Sequence, residues 1–111
     1  MTLRRMFYAG GELITSDAVA HAVLEYAAKL GNRGEAATLL VPAVGLVDGE
    51  TAVELLVGPA SQLAAAPVES DESPPDDAEF LRDMRTRMSM ETKARAWSGD
   101  AWSGDDWVDE L

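Results

Sequence analysis

The run Glu69-Ser70-Asp71-Glu72-Ser73-Pro74-Pro75-Asp76-Asp77 divides the chain into two parts that cannot fold in the same way. It combines like charges, two prolines and no large apolar side chain, which is the composition of a solvated, flexible linker. Residues 1–68 carry four Lys or Arg against seven Asp or Glu, whereas residues 69–111 carry five against thirteen. Counting Ala, Val, Ile, Leu, Met, Phe, Trp and Tyr, the first part holds 38 apolar residues and the second 14. Only the first part can supply a conventional core. The organisation expected is a head domain over 1–68, a linker over 69–77, an amphipathic helix over 78–96 and an acidic, Trp-containing tail over 97–111.

Within the head, Met6-Phe7-Tyr8 before Gly10-Gly11 reads as a short strand closed by a turn. A helix follows from about Ser16 to Leu30. Thr15 or Ser16 offers a capping hydroxyl, and Asp17 suits the positive end of the helix dipole. Val19, Ala20, Val23, Leu24, Ala27 and Leu30 recur at three and four, forming one buried stripe, and Gly31 stands as the C-terminal cap.

Thr38-Leu39-Leu40-Val41 and Val53-Glu54-Leu55-Leu56-Val57 are β-rich runs flanking Asp48-Gly49, the residue pair of a tight hairpin turn. A two-residue turn there sets Val44 opposite Val53, Pro42 opposite Leu55 and Leu40 opposite Val57, with one apolar face; a wider loop starting at Gly45 is the alternative. Pro42 lacks a ladder donor, so its strand belongs at an edge or carries a bulge. Residues 62–68 can add a last strand. The fold class expected is α+β: a small two-layer sandwich with one main helix on a mainly antiparallel sheet, in the order β-α-β-β with that further strand. Its core is thin, so cover by a homodimer mate or another protein is expected.

In the second part, Phe80, Leu81, Met84 and Met88 form a helical stripe, backed by Asp83 to Arg87 and Glu91 to Arg95 pairs at four-residue spacing. The stripe either folds back on the chain's own sheet or a dimer mate, or enters a groove on another protein. Beyond it stands a direct repeat, Ala96-Trp97-Ser98-Gly99-Asp100 and Ala101-Trp102-Ser103-Gly104-Asp105, then Asp106-Trp107. Trp97, Trp102 and Trp107 are the only tryptophans, and a spacing of five places them on no common helical face. Large aromatics in an acidic segment point to a short recognition motif for a basic, apolar pocket, or to packing on the chain's own domain. The candidate partner contacts are thus Phe80, Leu81, Met84, Met88, Trp97, Trp102 and Trp107.

Several chemistries lack their residues. The chain has no cysteine and one histidine, which leaves no disulfide framework, no thiolate nucleophile and a poor basis for zinc. His21 lies one turn from Asp17 and Glu25 and near Ser16, but neighbours on an exposed helix face do not make a buried triad. Asp100, Asp105, Asp106, Asp109 and Glu110 lack the alternating ligands and central glycine of a calcium loop. Gly10-Gly11 lacks the spacing of a phosphate cradle. No catalytic residue, cofactor or metal is expected.

The formal charge of −11 disfavours direct binding to nucleic acid or anionic lipid. Leu55 to Val68, the longest uncharged stretch at 14 residues, is interrupted by Gly58, Pro59 and Pro67 and falls short of a membrane span. The apolar run after Arg4 and Arg5 is too short for a secretory signal, so a cytoplasmic address is expected. The leading functional expectation is a small interaction or accessory module that self-associates through its head and contacts a protein partner, with a basic surface, through the C-terminal helix and tail. Alternatives are an acidic decoy imitating nucleic acid at a basic protein site, and a small-molecule-binding domain for which Tyr8, Tyr26 and Thr38 are the polar candidates.

Overall fold

Hydrophobic periodicity and turn residues resolve into five strands and two long helices in a computed structural model, which describes the backbone of residues 2–99 and the side chains of residues 2–89. The elements are β1 (Thr2–Tyr8), β2 (Gly11–Thr15), α1 (Asp17–Asn32), β3 (Ala37–Pro42), β4 (Ala52–Val57), β5 (Ala64–Glu69) and α2 (Ala78–Gly99). The fold is α+β with antiparallel sheets.

The first sheet has the order β2-β1-β5. Gly10, at φ 82°, turns β1 back into β2, with Tyr8 opposite Gly11 and Arg4 opposite Thr15. The sequence reading has no strand at Gly11–Thr15: it takes both glycines as a turn leading to the helix. Only Gly10 serves the turn, and Gly11 begins a strand whose Leu13 and Thr15 point into the core. The final strand expected over 62–68 is present as β5, paired along β1 from Thr2 opposite Glu69 to Phe7 opposite Ala64. The Thr2 hydroxyl donates to the Glu69 carboxylate and helps lower its pKa.

Helix α1 starts where its cap predicts. The Val19 N–H donates to Ser16 Oγ at 3.1 Å, so Ser16 rather than Thr15 is the cap. Its end lies beyond Gly31. The Gly34 N–H donates to the Gly31 carbonyl and the Glu35 N–H to the Leu30 carbonyl, with Gly34 at φ 67°. This is a Schellman arrangement, and the left-handed position falls on Gly34 while Gly31 remains helical. Val19, Ala20, Val23 and Leu30 of the expected stripe are buried, joined by Ala22 and Tyr26; Leu24 and Ala27 are half-buried against them.

The second sheet is the hairpin β3-β4, in a register different from the one two-residue turning predicts. Leu39 lies opposite Leu55, Leu40 opposite Glu54, Val41 opposite Val53 and Pro42 opposite Ala52. Asp48 and Gly49 do adopt left-handed backbone, at φ 55° and 73°, but at the tip of a wider loop that includes Gly45 at φ 72°. The cause is a competing strand. Val44, expected opposite Val53, instead donates its N–H to the Ile14 carbonyl at 2.9 Å and bridges to β2. The shift by an odd number of residues turns β3 over. Leu39 and Val41 enter the core, and Leu40 is 65% exposed. Pro42 does lie on an edge strand, since β3 and β4 form a two-stranded sheet.

Thr15 ties the two sheets together. It is fully buried, and its Oγ1 donates to the Pro42 carbonyl at 2.7 Å. Thr15→Val keeps the shape but strands that carbonyl, and is expected to cost about 1–3 kcal/mol in chemical denaturation. An unchanged midpoint would show that water replaces the bond.

The core joins Met6 and Leu13 of the first sheet, the α1 stripe, Leu39, Val41, Leu55 and Val57 of the hairpin, and Met84 of α2. Helix α2 therefore supplies cover that the thin head lacks. Residue pairing shows that it runs alongside α1 in the same direction: Ser16 Oγ donates to Asp77 at 2.7 Å, and Arg87 sits over the Tyr26 ring at 5.9 Å. The Leu81 N–H donates to the Asp77 carbonyl, so the acidic run ends as the entry to α2. No helix among the described residues is long and apolar enough to cross a membrane.

Candidate functional site

Among the described residues, two of the surface grooves border the β3-β4 hairpin. The first, of about 1140 Å³, lies where the ends of β1 and β4 meet the segment leading into β5. Phe7, Tyr8, Leu55, Leu56, Pro59 and Leu63 line it, with Glu54 as its one charged residue. Leu56 is 72% exposed and Phe7 41%. At its wall Gly58 passes so close to Ala36 that a Cβ there would approach the Ala36 Cβ to 2.9 Å.

The second groove, of about 870 Å³, lies between the β3-β4 end of the molecule and the first turns of α2. Its apolar lining includes Leu39, Leu40, Pro42, Ala43, Val44 and Phe80. Carboxylates stand around these residues: Glu50 from the hairpin loop, Glu72 and Asp76 from the connection, Glu79 and Asp83 from α2. All five are exposed.

Among the described residues Arg87 is the single cation of this lining, and it is already committed. Its Nε lies 3.0 Å from Asp83 Oδ2, one helical turn away. Its hydrogen bond with Tyr26 raises its pKa above the usual guanidinium value, the charge of Asp83 adding to this against the opposing effect of burial. Glu50, Glu72, Asp76 and Glu79 have no cationic partner among the described residues. Four like charges thus face solvent around an apolar floor, where an incoming cation meets little competition.

The seven expected partner contacts are distributed unevenly. Met84 is 1% exposed and belongs to the intramolecular core, while Phe80, Leu81 and Met88 are half-buried against that core. The stripe thus folds on the chain's own head, the first of its two readings, and Phe80 alone of these four also lines a groove. The side chain of Trp97, and all of Trp102 and Trp107, lie outside the described residues, as does the acidic group Asp100, Asp105, Asp106, Asp109 and Glu110.

The other residues weighed from sequence occupy structural positions. His21 is exposed, with Nε2 3.8 Å from Glu25. Ser16 caps α1 and bonds to Asp77, and Asp17 pairs with Arg4 at 2.7 Å, so no relay connects them to His21. Gly10 and Gly11 lead into a strand, which removes the helix terminus a phosphate cradle requires. Tyr26 is buried beneath Arg87, Tyr8 lines the first groove and Thr38 is exposed. Among the described residues, no group of three or more His, Cys, Asp or Glu is placed to hold a metal ion.

Sequence reasoning missed the second groove altogether. Leu40 was expected in the core, Glu72 and Asp76 in a free linker, and Glu50 and Glu79 carried no signal. They converge only because the hairpin loop is wide and α2 folds back.

Compared with protein-family models, curated proteins and solved structures, the chain matches none.

Proposed function

We propose that this protein is a small interaction module that receives a segment of a protein partner in the groove between the β3-β4 end and α2. The observation that carries this reading is a groove whose lining joins apolar side chains, including the exposed Leu40, to four exposed carboxylates with no cationic partner among the described residues. An exposed leucine beside carboxylates contributes little to the chain's own stability, and both become useful when a partner covers them. The active role of the C-terminal half is part of this reading, with α2 serving as one wall of the groove and the Trp-acidic tail as an additional contact. A cytoplasmic address belongs to it as well, in keeping with a chain free of cysteine.

Self-association of the head is the other half of the reading, through the patch bearing Phe7 and Leu56. Two copies of a chain with charge −11 meet least repulsion there, because the rim of that groove holds one carboxylate, Glu54.

Site-specific cross-linking tests the module. A photoreactive benzoylphenylalanine replacing Leu40 in cells is expected to give discrete adducts with a protein partner, whereas the same group at the exposed His21 gives none. Absence of adducts from position 40, or the same adduct pattern from both positions, would remove this reading.

A further inference from the structure

Resting on that reading, we infer that the occupant of the groove is a lysine- or arginine-rich protein segment that also carries apolar side chains. Charge selects the first property. Glu50, Glu72, Asp76 and Glu79 come from three separate stretches of chain yet border one cavity, and Arg87, the only lining cation among the described residues, is bound to Asp83 and lies over Tyr26. A segment bearing several cations gains attraction to all four carboxylates at once. A neutral or acidic segment would instead desolvate them without compensation.

Shape and lining select the second property. Leu40, Pro42, Val44 and Phe80 offer apolar surface between the charges, which a purely polar cation leaves uncovered. Burial of apolar area is not an electrostatic gain, so side chains resting on these residues add affinity that salt does not screen. A second copy of the chain fits poorly, since it brings the same net charge of −11 to an already acidic surface. Nucleic acid is disfavoured for the same reason.

The test uses the full chain and two fluorescein-labelled peptides of equal length and charge, one alternating lysine with leucine and one alternating lysine with serine. Fluorescence anisotropy is expected to show the lysine-leucine peptide binding at least ten-fold more tightly, with affinity falling as salt is raised. Glu50→Gln with Glu79→Gln should weaken it about ten-fold, whereas Glu12→Gln with Glu25→Gln, an equal charge change at exposed residues that line neither groove, should weaken it less than two-fold. Equal weakening by the two pairs would mean diffuse attraction to an acidic protein and would overturn the inference, as would equal binding of the two peptides.

Should either double variant fail to fold, amide chemical shifts of the unaltered chain decide the matter. Shifts on titration must concentrate on residues 39–52 and 72–87; a distribution centred on the exposed face of α1 would overturn the inference. Adducts from position 40 combined with failure of these peptide tests would keep the interaction module and discard the cationic occupant. Loss of the adducts as well would discard both.

Discussion

Aspartate in place of Leu39 is expected to abolish cooperative unfolding, while aspartate in place of Leu40 leaves stability within about 0.5 kcal/mol of the unaltered chain. The two leucines are adjacent and identical, so helix or strand propensity cannot distinguish them. Their faces can. Leu39 is 3% exposed and lies opposite Leu55 in the core, whereas Leu40 points to the groove and is 65% exposed. A carboxylate at position 39 forfeits the burial of a leucine, worth roughly 2–3 kcal/mol, and must also be protonated or hydrated in an apolar interior. The combined cost, roughly 5 kcal/mol or more, is comparable to the whole stability of a domain this size. Circular dichroism melts of the two variants decide the register. The opposite ranking would restore the tight two-residue hairpin, with Leu40 inside.

Met84→Ala is expected to destabilise the entire protein by about 2–5 kcal/mol, where Arg85→Ala, its exposed neighbour, shifts stability by less than about 0.5 kcal/mol. Met84 is 1% exposed and shares one continuous core with Met6, Val19 and Leu30, so truncating it leaves a cavity between α2 and the head. A single unfolding transition displaced to lower denaturant would show head and helix melting together. Loss of α2 alone, with the head's transition unmoved, would show instead that the helix is an appendage on a self-sufficient domain. The result bears on function, because α2 can wall a groove only if it is held in place.

The groove's own signature differs from both. Its carboxylates are exposed, so their neutralisation should alter binding with little change in melting temperature. Relieving repulsion among Glu50, Glu72, Asp76 and Glu79 would, if anything, raise stability slightly. A site whose removal costs affinity while sparing the fold is distinguishable from core packing in the same molecule.

The features readable along the chain were local. The α1 stripe, the Ser16 cap, the two β-rich runs, β5, the helical character after residue 77 and the α+β class all depend on residues within a few positions of one another. Short-range periodicity and capping chemistry therefore suffice to read them. Asp48-Gly49 was legible as a turn, and both residues do adopt left-handed backbone.

How these pieces meet depended on contacts between distant parts of the chain. Asp48-Gly49 marked the hairpin but not its register, because Val44 was captured by Ile14, thirty residues earlier in the chain, and drawn away from β4. The strand at Gly11–Thr15 depended on pairing with β1, and the end of α1 on hydrogen bonds closing through Gly34. The amphipathic stripe of α2 announced that it must be covered, without saying by what; the thin core of the head supplied the answer at Met84. The groove is one step further removed. It exists because a misfit between turn and register exposes Leu40 and because α2 returns to stand beside it, so its residues share a surface without sharing any pattern in the chain.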